Sequence, residues 1–287
     1  MKTLRECIEE ARNKKTAIGH FNISNLEGFW AVVNASKNLN LPVIIGVSEG
    51  ERDFVGIKQI KALVHTVRSE GMPIFLNADH TYSFEKIKEV IDAGFDSVIF
   101  DGANISFEEN KNITIECVKY ARSSGQDVLV EGELGYIGQS SKILDHIPEE
   151  VDLSLSALTT PEEASEFTIA TGIDMLAPSV GNMHGMLRGG VDPKLNIERI
   201  KAISDSTNLP LVLHGGSGNS DEDFKNAIES GVVIIHINTE IRLAYKQGLM
   251  KSFSEFPEET TPYKLLRPAL HAMQSVIEKR MALFNNL

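Results

Sequence analysis

The chain alternates short, β-branched apolar runs with amphipathic stretches along most of its length. The apolar runs lie at residues 16–22, 42–47, 73–79, 96–100, 127–134, 174–180, 209–214 and 232–238. Most are continuous apolar segments, which is typical of strands that are buried on both faces. Helical patterns occupy the gaps at residues 25–39, 57–70, 83–93, 107–124, 161–171, 196–206, 220–230 and 239–255.

Eight consecutive strand–helix units predict an α/β fold of the TIM (β/α)8 barrel type. The 287 residues, 42% of them hydrophobic, suit one large core, so we expect residues 1–287 to form a single barrel domain. A further helical pattern at residues 262–284 predicts an additional C-terminal helix. Cap residues mark several helix starts, among them Ser83, Ser220 and the pair Thr160-Pro161.

Charge and cysteine content exclude several classes of function. The net charge of −12 argues against a nucleic-acid partner or an anionic membrane surface. Cys7 and Cys117 form no CxxC pair and indicate a reducing compartment. The first residues lack the apolar run of a signal peptide, and no stretch approaches the ~18 apolar residues of a membrane span. We therefore expect a soluble, cytoplasmic protein with no nucleic-acid or membrane partner.

Polar side chains gather where the predicted strands end. They are Asp79 and His80, Asp101, Glu131 and Glu133, His184, His214, and His236 with Asn238. In a TIM barrel the carboxyl ends of the strands meet at one mouth, and that mouth carries the chemistry. We therefore expect these side chains to lie close together.

Three of these histidines indicate a metal site. Any one of them could be a structural histidine with its hydrogen bonds satisfied. His80, His184 and His214 together, with no thiolate partner, suit a catalytic Zn²⁺ with an open fourth position. Metal binding is therefore the better interpretation of the set.

A glycine-rich segment follows one of the predicted metal ligands. His214 precedes Gly215-Gly216-Ser217-Gly218, and a capped helix begins directly afterwards. Such a loop offers backbone N–H groups to an anion, and the loops after strands seven and eight often bind phosphate in this fold. Alone the GGSG motif is weak, since a flexible turn gives the same pattern. The segment 179–185, SVGNMHG, repeats the arrangement around His184.

A metal beside a phosphate site favours aldol chemistry on a phosphorylated substrate. The Schiff-base route requires a lysine that points into the barrel, and none of the eight apolar runs contains one. The alternative route uses a metal as Lewis acid, and its ligands are present. The residues therefore favour a metal-dependent enzyme.

The motifs in this order resemble the class II, zinc-dependent fructose-bisphosphate and tagatose-bisphosphate aldolases over nearly the whole chain. The matching blocks are ADHT (78–81), FDGA (100–103), VEGELG (130–135), GNMHG (181–185), LHGGSG (213–218) and HINTE (236–240). The resemblance implies reversible cleavage of fructose 1,6-bisphosphate to dihydroxyacetone phosphate and glyceraldehyde 3-phosphate. It also implies a small phosphorylated sugar as substrate and a homodimer or homotetramer.

The resemblance assigns roles to individual residues. Asp79 would be the acid/base that acts on the C4 hydroxyl, and His80, His184 and His214 would bind Zn²⁺. Asp101 and Glu133 match a second metal position, and Ser48 matches a contact to the aldehyde phosphate. The residues implied for the dihydroxyacetone phosphate half are Gly185, Gly215, Gly216, Ser217, His236, Ile237, Asn238 and Thr239. A monovalent cation, Na⁺ or K⁺, is common near that phosphate in the family.

The sequence departs from the family pattern at three places. The connection from Tyr136 to Thr160 lacks the family's Gly-Gly-acidic cluster, so Asp145, Glu149 and Glu150 are candidates for handling the enediolate proton. Its length of about 25 residues is typical of a functional lid. Met186-Leu187-Arg188 stands where Tyr-Lys is usual, and His236 replaces a substrate-binding asparagine.

Alternation along the last strand predicts the direction of His236. Residues 232, 234, 236 and 238 would share one face, and the apolar Val233, Ile235 and Ile237 would face the helices. We therefore expect His236 to point into the barrel, either as a buried structural histidine or as a donor to a substrate oxygen.

Three other functions are compatible with the residues. Tagatose 1,6-bisphosphate differs from the fructose substrate in its C4 stereochemistry, and nothing in one sequence separates the two. A zinc hydrolase on the same barrel would use a metal-bound water as nucleophile. A non-catalytic barrel that keeps its metal would follow if the departures are disabling.

Overall fold

A computed structural model of the protein describes residues 2–138, 141–189 and 192–287. Its strands are Ile18–Asn22 (β1), Val43–Val47 (β2), Ile74–Thr81 (β3), Ser97–Phe100 (β4), Leu129–Leu134 (β5), Ile143–Leu144 (β6), Met175–Pro178 (β7), Met186–Leu187 (β8), Leu211–Leu213 (β9) and Val232–Ile237 (β10). Eight of them form a closed barrel of parallel strands in the order β1-β10-β9-β7-β5-β4-β3-β2. The predicted (β/α)8 barrel is confirmed, and the eight predicted strands are its eight strands.

The helices surround this barrel. They are Leu4–Lys14 (α1), Leu26–Leu39 (α2), Glu49–Val55 (α3), Ile57–Ser69 (α4), Phe84–Asp92 (α5), Phe107–Ser123 (α6), Pro161–Thr171 (α7), Ile197–Thr207 (α8), Asp221–Glu229 (α9), Thr239–Glu255 (α10) and Pro262–Phe284 (α11). The additional C-terminal helix is confirmed as α11, whereas α1 and α3 were not predicted. Among the described residues, no helix is both long and apolar enough to cross a membrane.

The core has two layers. The larger one lies between the strands and the surrounding helices and contains side chains such as Phe29, Val98 and Phe167. The smaller one fills the amino-terminal end of the barrel, where Leu4, Cys7, Ile8 and Ala11 of α1 pack against inward-facing strand residues. Helix α1 therefore closes the end opposite to the strand termini that were predicted to carry the site.

Strand β10 does not alternate throughout its length. Its register with β9 shifts between Val232 and Ile234, so Val233 and Ile234 both belong to the inner layer. The prediction that Val233 faces the helices is wrong, because this irregularity inserts one residue into the alternation. Beyond the shift, Ile235 and Ile237 face the helices and His236 points into the barrel, as predicted.

The long connection after β5 is tied to the loop that carries His184. Its two-residue strand β6 pairs in parallel with β8. The N–H of His184 donates to the carbonyl of Ile137 over 2.8 Å, and the N–H of Arg188 donates to Leu144 over 2.7 Å. The connection ends in the predicted cap at Thr160, which forms a capping box with Glu163. These bonds hold part of the connection at the rim of the barrel mouth.

Candidate active site

The carboxyl end of β3 holds Asp79 and His80 on a backbone irregularity. The register between β3 and β4 shifts between Ala78 and Thr81. His80 has a φ of +39°, in the left-handed region that a residue with a Cβ rarely adopts. Bulges and strained residues of this kind re-aim side chains at functional sites. Here the irregularity turns both neighbouring side chains towards the barrel mouth, where both line the same cavity.

The three predicted metal ligands meet at this mouth. His80 ends β3, His184 follows β7 and His214 follows β9. The ring centroid of His80 lies 4.9 Å from that of His184 and 5.0 Å from that of His214. One nitrogen from each ring lies within 4.8 Å of the others. The three side chains could therefore hold a single metal ion.

Two of these rings are each held by a carboxylate that contacts one ring nitrogen. His80 Nδ1 lies 2.8 Å from Asp101 Oδ2, and His214 Nε2 lies 2.7 Å from Glu131 Oε1. Metal-binding histidines usually have such a partner on the second ring nitrogen. The remaining nitrogen of His214, Nδ1, is buried and has no hydrogen-bond partner in the described part of the chain. The histidines therefore fit a metal ion, which would occupy the free nitrogens.

The two acidic residues predicted for a second metal position lie beside His80. Asp101, Glu133 and His80 form a second group whose ligand atoms lie within 4.8 Å of one another. Burial raises the pKa of Glu133 to about 8, and the neighbouring Asp101 charge acts in the same direction. Burial lowers the pKa of His80, but the Asp79 charge and the Asp101 hydrogen bond outweigh it and raise that pKa to about 10. The surplus of negative charge favours a cation here.

Asp79 is a buried carboxylate with one oxygen hydrogen-bonded and the other in a longer contact with a histidine. Its Oδ2 accepts from Asn22 Nδ2 over 2.8 Å, and its Oδ1 lies 3.4 Å from His236 Nδ1. Burial alone would raise the pKa of Asp79, but the His80 charge and the His236 contact hold it well below its usual range. Asp79 is therefore ionised.

A cavity of about 570 Å³ opens above these side chains. It contains most of the predicted site and several residues that were not predicted. Its described lining residues are Asn22, Ser48, Asp79, His80, Tyr82, Asp101, Tyr136, Gly138, Ser141, Lys142, Glu150, His184, Gly185, Gly215, Ser217, His236, Asn238, Thr239 and Arg242.

One wall of the cavity offers backbone N–H groups to an anion. Within the described residues, the N–H groups of Gly185, Gly215 and Thr239 donate to no protein acceptor. Thr239 begins α10, so the positive end of that helix faces the cavity. Ser217 Oγ accepts from the N–H groups of Asn238 and Glu240 over 3.2 and 3.3 Å, which leaves its hydroxyl hydrogen free to donate.

Two members of the predicted substrate set lie outside this wall. The N–H of Gly216 donates to the carbonyl of His236 over 3.1 Å and is not free for a phosphate. The side chain of Ile237 packs between the strands and the helices. Gly216 thus maintains the loop, and Ile237 belongs to the core.

Another part of the cavity lining is organised by Glu51, a buried residue of α3. Its carboxylate accepts from Ser48, Asn22 and Arg242, in each case over 2.8–2.9 Å. Asn22 could have been found from sequence, because it is a polar residue at a strand end. Arg242 in the first turn of α10 and Lys142 in the long connection follow no such rule, and only the folded arrangement identifies them.

The three acidic candidates of the long connection separate clearly. Glu150 lines the cavity. Asp145 forms an ion pair with Arg188 over 2.6 Å, and neither Asp145 nor Glu149 lines the cavity; all three residues are exposed. Of the three, Glu150 is therefore the one that lines the cavity.

Comparison with known proteins identifies the family of the chain. The family model for "Fructose-bisphosphate aldolase class-II" matches residues 2–287. The chain belongs to this family. It is therefore a class II aldolase, a lyase that acts on carbon–carbon bonds.

Individual relatives cover almost the whole aldolase. It is 36% identical over 287 residues to the fructose-bisphosphate aldolase of Staphylococcus epidermidis, covering 98% of this chain and 96% of the relative. Its identity to the enzyme of that name from Geobacillus stearothermophilus is also 36%, over 289 residues, with 99% and 96% covered.

Solved structures show the same architecture. The YdjI aldolase from Escherichia coli K12 has a TM-score of 0.82 at 31% identity, with 98% of this aldolase and 96% of that chain covered. The fructose-bisphosphate aldolase of Campylobacter jejuni has a TM-score of 0.79 at 24% identity, covering 98% and 94%, and this likeness supports the fold alone.

Proposed function

We propose that this class II aldolase reversibly cleaves fructose 1,6-bisphosphate into dihydroxyacetone phosphate and glyceraldehyde 3-phosphate, with Zn²⁺ held by His80, His184 and His214. The observation that carries the proposal is the juxtaposition of three histidines, an ionised Asp79 and free backbone N–H groups around one cavity. A ketose bisphosphate needs each of these: a metal for its carbonyl, a base for its hydroxyl and donors for its phosphate. The names of the relatives support the substrate.

Asp79 would take the proton of the C4 hydroxyl, and its release allows the C3–C4 bond to break. The hydrogen bond from Asn22 holds the carboxylate in place while it does so. When bound, Zn²⁺ would supply Lewis acidity for the ketone and for the negative charge that develops beside it. Glu150, at the cavity wall, is the residue we assign to returning a proton to the three-carbon ketone product.

The phosphate of the dihydroxyacetone half would bind to the wall formed by Gly185, Gly215, Ser217 and Thr239. Its contacts are the free N–H groups and the Ser217 hydroxyl described above. Asn238 and His236 line the same wall and would contact the substrate hydroxyls. Ser48, which lines the same cavity and donates to Glu51, would contact the aldehyde phosphate.

Three further features belong to the proposal. Asp101 and Glu133 would offer the metal a second position beside His80, where they already form a group with ligand spacing. A monovalent cation would sit near the phosphate, and the enzyme would act as a cytoplasmic homodimer or homotetramer. The two unpaired cysteines, both buried, are consistent with a reducing compartment.

A coupled assay tests the function. Cleavage of fructose 1,6-bisphosphate and of tagatose 1,6-bisphosphate is followed in parallel through the triose phosphates released. We expect fructose 1,6-bisphosphate to have the higher kcat/KM. A higher value for the tagatose isomer would reassign the substrate, and inorganic phosphate without triose phosphates would indicate a zinc hydrolase.

A further inference from the structure

Three imidazole rings form a column inside the barrel. His20 on β1 and His236 on β10 are Cα partners in the parallel ladder, and both side chains point inwards. Their ring centroids are 3.5 Å apart and their planes differ by 5°. His236 in turn stacks on His214, at 3.9 Å and 29°. The activity proposed above gives a role to His214 and His236 but none to His20, which is fully buried.

The surroundings of His20 are built to hold its ring in one place. A Cβ on Gly46 of β2 would lie 2.0 Å from His20 Cε1, so a glycine is needed for the ring to occupy this position. On the other edge, Asn77 Nδ2 lies 3.1 Å from His20 Nε2. The absent side chain and the hydrogen bond to the Asn77 amide together fix the plane of the His20 ring.

This cluster is poorly suited to a second metal ion. His20, Asp79 and His236 do offer ligand atoms within 4.8 Å of one another. A histidine binds a metal along a lone pair that lies in the plane of its ring. Rings whose planes differ by 5° keep these lone pairs in nearly parallel planes, so the two do not converge on one ion. The stack is better suited to holding a ring in position.

The ring that His20 holds faces the proposed base. His236 Nδ1 lies 3.4 Å from Asp79 Oδ1, slightly beyond the usual 2.7–3.2 Å of an N–H···O bond. A small tilt of the His236 ring therefore decides whether this bond forms. The opposite oxygen of Asp79 is already held by Asn22.

We propose that His20 is a positioning residue that holds the His236 ring in the plane that directs Nδ1–H at the Asp79 carboxylate. This inference rests on the proposed aldol reaction, in which Asp79 is the base. His20 touches neither the substrate nor the metal. It acts through His236, and its loss leaves that ring free to tilt away from Asp79.

Variants of His20 distinguish the effect of its stacked ring from the effect of its hydrogen bond to Asn77. His20→Ala and His20→Asn both remove the ring, and we expect each to lower kcat by about 10- to 100-fold, since small displacements of catalytic groups cost rates of this order. His20→Phe keeps a flat stacking surface and should retain most of the activity. Zinc content should stay at the wild-type level in all three. His65→Ala, an exposed histidine on α4, is the matched control.

A double-mutant cycle with His236→Asn gives the decisive comparison. If His20 acts through the His236 ring, His20→Ala causes little further loss when that ring is already absent. Nitrogen NMR of the purified enzyme should also show the His236 proton on Nδ1 in the wild type and shared between both nitrogens in His20→Ala. Should the alanine variant not fold, the asparagine variant takes its place in both measurements.

Three results would overturn the inference: additive losses in the cycle, an unchanged His236 tautomer, or loss of zinc from the His20 variants. The last would mean that the column acts on His214. Failure of the proposed function is a different outcome, because the wild-type enzyme would then cleave neither bisphosphate.

Discussion

At the scale of single residues, the site depends on which groups remain charged when buried. Asp79, Asp101 and Glu133 surround His80 in a space that water hardly reaches. Neighbouring positive charge keeps Asp79 ionised, whereas Glu133 is pushed towards its protonated form. Two carboxylates that face the same histidine can therefore have different roles, one as a base and the other beside the metal.

Replacement of Asp79 tests its assignment as the base. We expect Asp79→Ala to lose about 10²- to 10⁴-fold in kcat, the usual contribution of a general acid–base group. Its zinc content should stay near that of the wild type, because the ligand nitrogens belong to three histidines. Parallel measurement of turnover and bound metal checks both points. Loss of zinc would make Asp79 a ligand or a scaffold residue.

Replacement of His236 tests the two contacts proposed for its ring. His236→Asn should keep substantial activity, because its amide N–H can replace the Nδ1–H aimed at Asp79 and its amide oxygen can accept from a substrate hydroxyl, as His236 Nε2 would. His236→Ala leaves both contacts unmade and should lose roughly 1–3 kcal/mol of transition-state stabilisation. The measurements are kcat/KM and the melting temperature of both variants. If alanine lowers the melting temperature and leaves kcat/KM unchanged, His236 is a core residue.

The sequence predicted the position of individual site residues wherever a general rule of the fold applied to them. Polar side chains at the strand ends of a barrel converge, and this rule by itself brings Asp79, His80 and His214 together. Gly216 was misplaced because a glycine-rich motif does not show which N–H groups the loop uses for itself. Arg242 was missed because its place in the cavity depends on a contact with Glu51, a residue far away in the sequence.

At the scale of elements, the two helices that were not predicted have clear local signals. Thr3 and Glu6 form a capping box, and Leu4, Cys7, Ile8 and Ala11 repeat at helical spacing in α1. Helix α3 carries the same signature at Ser48 and Glu51, but it has seven residues and contains Gly50. The irregularities in β3 and β10 have no comparable signal, because they depend on pairing with neighbouring strands.

Helix α1 should contribute stability without touching the site. Ile8 is buried in the smaller core layer, at the amino-terminal end of the barrel. We expect Ile8→Ala to lower the free energy of unfolding by about 2–5 kcal/mol through the cavity it leaves. Denaturant unfolding measures this, and kcat/KM of the folded fraction should not change. Glu9→Ala, exposed on the same helix, is the control and should shift stability by no more than about 0.5 kcal/mol. Equal effects of the two variants would show that α1 does not close the barrel.

At the scale of the whole molecule, the barrel places chemistry and stability at opposite ends. The amino-terminal end is filled by α1 and apolar side chains, and the carboxyl end holds the histidines and carboxylates. The number and order of strands followed from sequence, since continuous apolar runs separated by amphipathic helices leave few other folds. The stacking of the histidines could not be predicted from sequence, because it depends on the register of β1 against β10, the two strands that close the barrel.

Titration of the metal-free enzyme with zinc tests the central claim, that three histidines hold a catalytic Zn²⁺. Metal is removed with a chelator, and cleavage of fructose 1,6-bisphosphate is measured as Zn²⁺ is returned. We predict no activity without metal and a linear recovery that ends at one Zn²⁺ per chain. Co²⁺ should also restore activity. Cleavage that survives complete metal removal, or a substrate adduct trapped by borohydride, would contradict the account.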